Sequence, residues 1–287
     1  MTMLKNRTIW TWFEGDWHEG NVMIMGSADH GTWLGTMVFD GARAFEGVAP
    51  DLDRHCARAN HSCVAMGMNP TIETGKMIEI AKEGIAKFDK DAALYVRPMY
   101  WSREAGAVTV DADPDSTAFA LCIEEASLGA GAGFSVTTTR FTRPTLATAV
   151  TNAKAACLYP NNARMLKEAQ EKGFQNAIVC DALGNVAETA TSNIFMAKNG
   201  EVYTPVPNGT FLNGITRQRV IKLLRGAGVT VNETVLTLDD FRNADEIFST
   251  GNYSKVTPIV KFDNHEPGAG PFAAKARELY WEWAHSA

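Results

Sequence analysis

Hydrophobic and polar residues repeat with two different periods in the first half of the chain, and each period predicts a different element. Apolar positions recur at helical spacing in "LDRHCARANHSCVAMGM", from Leu52 to Cys63, and again in "ETGKMIEIAKEGIAKF". β-branched and aromatic residues dominate "AALYVRPMYW" and "TAFALCIEE", which predicts strands. Upstream, "TIWTWFEGDWHEG" and "VMIMG" predict a hairpin that turns at Gly15 and Asp16. "HGTWLGTMVFDGARAFEG" predicts further strand-like structure through glycine turns.

The second half alternates strand and helix patterns between glycine turns. "FSVTTTRFTRP" predicts a strand, and "NNARMLKEAQEKG" predicts a helix that ends at a glycine. Tight turns at "ALGN" and "KNG" separate the strands of the segment that follows. The small residues of "ASLGAGAG" predict a flexible linker. The sequence therefore predicts an α+β fold with a small N-terminal domain at 1–125, a linker at 126–135 and a large domain at 136–287.

Composition narrows the class of protein. The chain has 287 residues, of which 45% are hydrophobic and 21% charged, a balance typical of a globular protein with a sizeable core. The net charge of -6 and the lack of a Lys/Arg run argue against nucleic acid or anionic membrane as a partner. No stretch reaches the roughly 18 apolar residues of a membrane span, and no signal peptide is recognisable. We expect a cytoplasmic protein that acts on a small molecule.

Cysteine and histidine spacing gives no support for a disulfide or a metal site. The five cysteines are irregularly spaced without a CxxC pair, which favours free thiols. His55 and His61 are six positions apart, whereas ligand pairs on a helix are three or four apart. Both are predicted to be surface histidines, and Cys157 is predicted to be a small buried thiol.

Three segments contain candidate chemistry, and each alone has an ordinary alternative. Lys154 in "NAKAAC" has only small neighbours, so it is either a solvated loop lysine or a lysine beside a flat cofactor. Glu188 ends a β-run, where it is either an exposed hairpin charge or the partner of a pyridine nitrogen. Thr216 lies near a helix start, as either a plain cap or part of a phosphate-binding turn.

In their order along the chain, these segments resemble fold-type IV enzymes that use pyridoxal 5'-phosphate (PLP). This family is also called class IV aminotransferases, and the likeness is to its branched-chain aminotransferases. The segments that resemble it are "GTMVFDGARAFEG", "RHCARANHSC", "YVRP", "NAKAACLY", "GNVAETATSNIF", "LNGITRQRVI" and "ADEIFSTGNYSKVTPI". The resemblance implies a two-domain, D-amino acid aminotransferase-like fold. Its small N-terminal α/β domain precedes a larger C-terminal domain with a β-barrel-like sheet.

The resemblance also implies roles for individual residues. Lys154 matches the Schiff-base lysine, Tyr159 the tyrosine that hydrogen-bonds the phenolic oxygen, and Glu188 the partner of the pyridine nitrogen. Arg58 matches the arginine on the phosphate, and Asn252 stands where the family often has a threonine. The implied cofactor-binding positions are Arg58, Lys154, Tyr159, Glu188, Asn193, Gly214, Ile215, Thr216, Gly251 and Asn252.

Substrate choice is the least specific part of the resemblance. The implied substrate-binding positions are Leu34, Phe39, Arg43, Tyr95, Arg97, Glu124 and Tyr253. Tyr95 and Arg97 match branched-chain enzymes, whereas Leu34, Glu124 and Tyr253 depart from them. The expected reaction moves an amino group between a branched-chain or other hydrophobic L-amino acid and 2-oxoglutarate.

Several alternatives to this reaction stay open. One is an (R)-selective amine:pyruvate transaminase. Others are a D-amino acid transaminase, an aminodeoxychorismate lyase and an idle PLP-binding protein. The resemblance further implies a homodimer or a higher homo-oligomer, to which the tryptophan-rich ends of the chain would contribute apolar contact area.

Overall fold

The computed structural model describes residues 7–286, and its contacts divide the chain into two compact units. One unit runs to Leu128 and includes Asn152–Cys157, while the other comprises Gly129–Thr151 and the chain from Leu158 onward. The first six residues of the predicted small domain and the last residue of the predicted large domain lie outside the described residues. Residues 152–157 group with the first unit, although the domain prediction assigns them to the second half.

The first unit is built on a six-stranded sheet. Its elements are β1 (Ile9–Phe13), β2 (Asp16–Glu19), α1 (His30–Trp33), β3 (Met37–Phe39), β4 (Ala42–Ala44), α2 (Leu52–Ala65), α3 (Thr74–Ile85), β5 (Leu94–Ser102) and β6 (Thr117–Glu125). The strand order is β2-β1-β6-β5-β3, with β4 also on β5, and all these pairs are antiparallel. The predicted helices over α2 and α3 and the strands β5 and β6 are confirmed.

Two predictions near the N-terminus are wrong. The hairpin of β1 and β2 forms, but residues 22–26 are not a strand. The segment predicted as strand-like begins instead with the one-turn helix α1. Contacts distant in sequence hold that turn: His30 Nε2 lies 3.2 Å from the carbonyl oxygen of Thr109, and Trp101 Nε1 donates to Asp29 at 2.9 Å. A local hydrophobic pattern contains no information about such contacts.

The two faces of this sheet are covered differently. One face contains the apolar cluster of Ile9, Met99, Trp101, Ala120 and Cys122. On the other face, Tyr100 donates hydrogen bonds to Asn60 of α2 and to the carbonyl of Ile72. The helix α3 approaches the sheet so closely that a Cβ at Gly84 would meet Ile123. The amphipathic helices therefore bury their apolar stripes against this second face.

The second unit is built on an eight-stranded mixed sheet. Its elements are β7 (Phe134–Thr138), α4 (Tyr159–Glu171), β8 (Asn176–Cys180), β9 (Val186–Thr189), β10 (Asn193–Lys198), β11 (Glu201–Pro205), α5 (Ile215–Gly226), β12 (Val231–Thr234), α6 (Leu238–Arg242), β13 (Glu246–Gly251), β14 (Lys255–Phe262) and α7 (Pro271–Ser286). The strand order is β12-β11-β10-β13-β14-β7-β8-β9. The end strand β9 returns to pack on β10 and β11, so the sheet curls into a half-barrel.

The curled sheet surrounds the core of this unit. The buried cluster comprises Val136, Ile178, Val186, Ile194, Met196, Leu236, Phe241, Ala244, Ile247, Ile259 and Phe262. On its outside, α4 packs on β7 and β8, while α5 and α7 pack together and against β13. The predicted fold class, including the barrel-like sheet of the C-terminal half, is confirmed.

Candidate active site

Lys154 lies in a short segment of the first unit that is fixed through its backbone. Its N–H donates to Oγ of Ser62 at 3.0 Å, and its carbonyl accepts from the N–H of Phe39 at 3.1 Å. The flanking residues Ala153 and Ala155 are buried, so small side chains are needed for this close approach to α2 and β3. The Lys154 Nζ lies 5.0 Å from the ring centroid of Phe39. The segment thus presents an amine on a rigid backbone beside an aromatic ring.

Arg58 is held by a buried carboxylate that the sequence analysis did not identify. Asp40 accepts from Arg58 Nε at 2.6 Å and from Arg58 Nη2 at 2.9 Å. It also accepts from the N–H of Gly41 at 2.7 Å, and His55 Nδ1 lies 2.7 Å from Oδ1. Burial alone would raise the pKa of Asp40, but the charge of Arg58 and the hydrogen bond from His55 hold that pKa well below its usual range.

The prediction that His55 is a surface residue is wrong, because its imidazole is buried against Asp40. A buried imidazole needs a hydrogen-bond partner, and Asp40, which follows β3, is that partner for His55 on α2. His61, further along the same helix, is exposed as predicted.

Three of the predicted substrate-binding residues lie together on β5 and β6. Arg97 Nη1 donates to Oε1 of Glu124 at 3.2 Å, and the Arg97 guanidinium lies 5.4 Å from the ring centroid of Tyr95. Arg97 Nη2 also contacts Cys122 Sγ at 3.4 Å, and Arg7 lies 3.6 Å from the other oxygen of Glu124. Burial opposes the charge of Arg97, yet Cys122 and Glu124 together raise its pKa. Two arginines therefore share one carboxylate.

The other predicted substrate positions of this unit differ in exposure. Arg43 is buried on β4, pairs in register with Tyr95, and donates to the carbonyl of Ala126. Phe39 is half-buried at the end of β3. Leu34 follows α1 and is exposed, so its side chain is available to a ligand.

Glu188 of the second unit is held by two side chains. Its Oε1 lies 3.1 Å from Nε of Arg143, and its Oε2 accepts from Nδ2 of Asn193 at 3.2 Å. Arg143 is buried and also donates to the carbonyls of Thr189 and Ala190. Arg143 and Asn193 therefore fix the orientation of the Glu188 carboxylate.

Asn193 connects Glu188 to the start of α5. Its Nδ2 also donates to the carbonyl of Leu212 at 3.0 Å, and its Oδ1 accepts from the N–H of Gly214 at 3.2 Å. A Cβ at Gly214 would collide with that oxygen, so any larger residue here would displace the Asn193 side chain. Ile215 and Thr216, both buried, form the first turn of α5, and the N-cap residue Gly214 has no side chain with which to cap this helix. The free N–H groups of such a turn attract anions.

The turn between β13 and β14 contains the last group of predicted residues. Asn252 follows Gly251, and its Oδ1 accepts from Nζ of Lys255 at 2.8 Å. The Asn252 Nδ2 is buried and has no hydrogen-bond partner within residues 7–286. Tyr253 is 69% exposed. The turn therefore offers one buried donor without an acceptor.

Two residues that follow Lys154 in the chain, Cys157 and Tyr159, are exposed to solvent. Tyr159 is the first residue of α4 and is 37% exposed. Cys157 is exposed, so the prediction of a buried thiol is wrong. All five cysteines of the chain are free thiols in the structure.

No sequence motif points to Asp40, Arg143 and Lys255, which hold the predicted residues Arg58, Glu188 and Asn252. Arg143 lies beyond the end of β7 and Glu188 lies on β9, so no local motif links them. Across the described part of the chain, no three His, Cys, Asp or Glu side chains cluster as a metal site requires. Nor does any helix between residues 7 and 286 combine the length and apolar character needed to cross a membrane.

Comparison with known proteins identifies the family. A sequence model of "Amino-transferase class IV" matches residues 37–262. An aminotransferase from Brucella abortus bound to PLP is 61% identical, with a TM-score of 0.96 over 97% of this chain and 99% of that one. A probable branched-chain-amino-acid aminotransferase of Aquifex aeolicus is 31% identical over 277 residues, 92% of this chain and 87% of that protein.

A third similar protein is the T.th. branched-chain amino acid aminotransferase, whose structure holds N-(5'-phosphopyridoxyl)-L-glutamate. It is 28% identical, with a TM-score of 0.88 over 96% of this chain and 94% of that one. The family match covers the segments from β3 to β14 in which the predicted catalytic residues lie. This chain belongs to the class IV aminotransferase family.

Proposed function

We propose that this protein is a PLP-dependent aminotransferase. It would move an amino group between a branched-chain or other hydrophobic L-amino acid and 2-oxoglutarate. The observation that carries the cofactor assignment is the 61% identity to the Brucella abortus aminotransferase bound to PLP. The substrate assignment draws on relatives such as the Aquifex aeolicus protein, which are named as branched-chain enzymes.

The polar groups of the second unit fit PLP. A dianionic phosphate needs N–H donors, and the uncapped first turn of α5 and the buried Nδ2 of Asn252 are such donors. A protonated pyridine nitrogen needs a carboxylate, and Glu188 is held in a fixed orientation by Arg143 and Asn193. When bound, PLP supplies an electron sink for the charge that develops at the substrate Cα.

We assign Lys154 the roles of nucleophile and proton carrier. A neutral lysine amine attacks a carbonyl carbon, and the same amine, once displaced, can accept the proton of the substrate Cα. The fixed backbone of residues 153–155 limits where this amine can travel. Tyr159 would donate to the phenolic oxygen of PLP, and Arg58, oriented by Asp40, would hold the phosphate.

The acceptor acid is proposed from the charges around Glu124. Arg7 and Arg97 contribute two positive charges and Glu124 one negative charge, so the cluster has a net charge of +1. A second carboxylate, as in 2-oxoglutarate or glutamate, would be attracted to Arg97 by this excess. The T.th. enzyme provides a parallel, since its bound adduct contains L-glutamate.

A second candidate is an (R)-selective amine:pyruvate transaminase. The observation in its favour is that Glu124 already occupies one side of Arg97, at 3.2 Å. In this alternative Arg97 would not receive a distal carboxylate, and an apolar group could replace the substrate carboxylate near the exposed Tyr253.

A panel of substrates separates the two candidates. The purified enzyme, saturated with PLP, is assayed with L-leucine, L-isoleucine, L-glutamate, D-alanine, and (R)- and (S)-1-phenylethylamine, each with pyruvate and with 2-oxoglutarate. We expect the highest kcat/KM with L-leucine or L-isoleucine and 2-oxoglutarate. A preference for (R)-1-phenylethylamine and pyruvate, with L-leucine inactive, would establish the second candidate instead. If bound PLP keeps the same absorbance with every donor, the protein is not a transaminase.

The domain boundaries and the homodimer expected from the sequence remain part of this proposal. Size-exclusion chromatography with light scattering tests the assembly. An active species with the mass of one chain at micromolar concentration would refute the homodimer.

A further inference from the structure

Lys255 is a buried lysine for which the proposed reaction gives no role. It is 1% exposed at the start of β14. Its backbone has φ = 62°, in the left-handed region that residues other than glycine rarely adopt. Burial of an ammonium group and a left-handed backbone are both unfavourable, so a specific contact has to stabilise this residue.

That contact is with Asn252, three residues earlier in the same turn. The Lys255 ammonium donates to Asn252 Oδ1 at 2.8 Å and lies 5.6 Å from the ring centroid of Tyr280 on α7. A lysine ammonium can only donate hydrogen bonds, so the oxygen of the amide must face Lys255 and the nitrogen must face away. Lys255 therefore determines which way the Asn252 amide points.

The nitrogen that faces away is the unsatisfied donor of this turn. Asn252 Nδ2 is buried without a hydrogen-bond partner in the described part of the chain. A buried donor left without an acceptor is costly, and the cost disappears when a ligand supplies an acceptor oxygen. Gly251 beside it packs against Ser192, where a Cβ would come within 3.1 Å of the Ser192 Cβ, so the turn has little freedom to rotate the amide elsewhere.

We propose that Lys255 is a positioning residue for the cofactor phosphate. It holds the Asn252 amide with Nδ2 directed at a phosphate oxygen. Lys255 itself does not touch the cofactor. This inference rests on the proposed function, because it takes PLP as the anion bound at the turn.

The test measures PLP binding to the apoenzyme by protein fluorescence, which requires no turnover. The variants are Lys255→Met, Asn252→Ala and the double variant. Lys261→Met is the matched control, because Lys261 lies on the same strand and pairs with Glu266 at the surface. Pyridoxal, which lacks the phosphate, is titrated in parallel.

We expect Lys255→Met and Asn252→Ala each to raise the Kd for PLP by at least about tenfold. The Kd of the double variant for PLP should exceed the larger of the two single-variant Kd values by no more than about twofold, because Lys255 acts through Asn252. The Kd for pyridoxal should change less than about threefold, and Lys261→Met should bind PLP as the wild type does. A merely structural effect of Lys255 would weaken PLP and pyridoxal alike.

Other outcomes overturn the inference. Wild-type affinity in Lys255→Met refutes it, and so do multiplicative losses in the double variant, which would mean that Lys255 acts without Asn252. If Lys255→Met does not fold, Asn252→Asp replaces it: this isosteric change keeps the acceptor for Lys255 and removes the donor. It should weaken PLP but not pyridoxal, and unchanged PLP binding would again refute the inference. If the wild-type apoenzyme does not bind PLP at all, the proposed function falls as well.

Discussion

Asp40 in the first unit and Asn252 in the second are both polar groups inside the protein, but only one of them is satisfied by the protein alone. Asp40 accepts hydrogen bonds from Arg58 and Gly41 and contacts His55. Asn252 accepts from Lys255 at one end of its amide, while its Nδ2 has no partner in the described part of the chain. The first arrangement is complete without a ligand, and the second becomes complete only when an acceptor binds.

Two helices of the second unit repeat this difference. The N-terminus of α6 is closed by a capping box, in which Thr237 accepts from the N–H of Asp240 and Asp240 accepts from the N–H of Thr237. The N-cap residue of α5 is Gly214, which has no side chain and makes no such cap, and α4 also lacks a cap from its N-cap side chain. Capping satisfies backbone donors at once, whereas an uncapped turn leaves them to water or to an anion. We infer that the start of α5 serves binding, because Asn193 and Glu188 lie beside it, whereas the capping box of α6 serves stability.

The largest effect should come from Lys154, whose segment belongs to the first unit. We expect Lys154→Ala to lower transamination to near background, since loss of the proton transfer alone is worth about 10²- to 10⁴-fold. The visible absorption of PLP joined to the protein should disappear. Initial rates and an absorbance spectrum measure both effects. Lys167→Ala, at an exposed position of α4, is the control. Normal turnover of Lys154→Ala would show that the segment around Lys154 has only a structural role.

Asp40→Asn tests the closed arrangement. The substitution removes the charge that balances the Arg58 guanidinium, and breaking a buried pair in this way costs on the order of 3 to 5 kcal/mol. We expect that loss in the free energy of unfolding, measured by urea denaturation of the apoprotein. Asp89→Asn, at an exposed site, should change it by less than about 0.5 kcal/mol. A loss below about 1 kcal/mol for Asp40→Asn would mean that the cluster contributes little to stability.

Arg97→Met should have a smaller and more selective effect. If Arg97 receives a second carboxylate, its loss removes a charge-assisted hydrogen bond worth about 1.5 to 3 kcal/mol, which corresponds to roughly a ten- to hundred-fold loss in kcat/KM. L-Glutamate and 2-oxoglutarate should suffer this loss, while L-leucine should not. Glu124→Gln, which removes the competing carboxylate 3.2 Å from Arg97, should instead raise kcat/KM for L-glutamate and 2-oxoglutarate. Equal losses for L-leucine and L-glutamate in Arg97→Met would exclude the proposed role.

The lowered pKa of Asp40 predicts how stability depends on pH. The unfolded aspartate takes up a proton below about pH 4, whereas the folded one remains ionised far below that value. The stabilisation by Asp40 is therefore fully present above about pH 4 and decreases as pH falls, by about 1.4 kcal/mol per pH unit from this group. Urea denaturation of wild type and Asp40→Asn between about pH 2.5 and 7 measures it. A difference in the free energy of unfolding between wild type and Asp40→Asn that stays constant with pH would contradict the prediction.

The sequence predicted elements better than contacts, for a physical reason. Helices such as α2 and α3 follow from a local apolar period, and strands such as β5 and β6 from local composition. The short helix α1 and the burial of His55 depend instead on partners outside their own local segments. The same holds for the candidate site. Glu188 and Asn252 were identified by resemblance, but Arg143 and Lys255, which orient them, have no local signal.

The smallest effect should come from the cap of α6, and it separates a closed helix start from an open one. Thr237→Ala removes the side-chain acceptor of the capping box, which costs about 1 kcal/mol of stability. Because that N-terminus binds no ligand in our proposal, the Kd for PLP should be unchanged. Gly214→Ala at the start of α5 should instead raise the Kd for PLP, because its Cβ would displace Asn193. Thermal unfolding of the apoproteins and PLP titration measure the two properties separately. If Thr237→Ala weakened PLP binding as much as Gly214→Ala does, the starts of α5 and α6 would not differ in function.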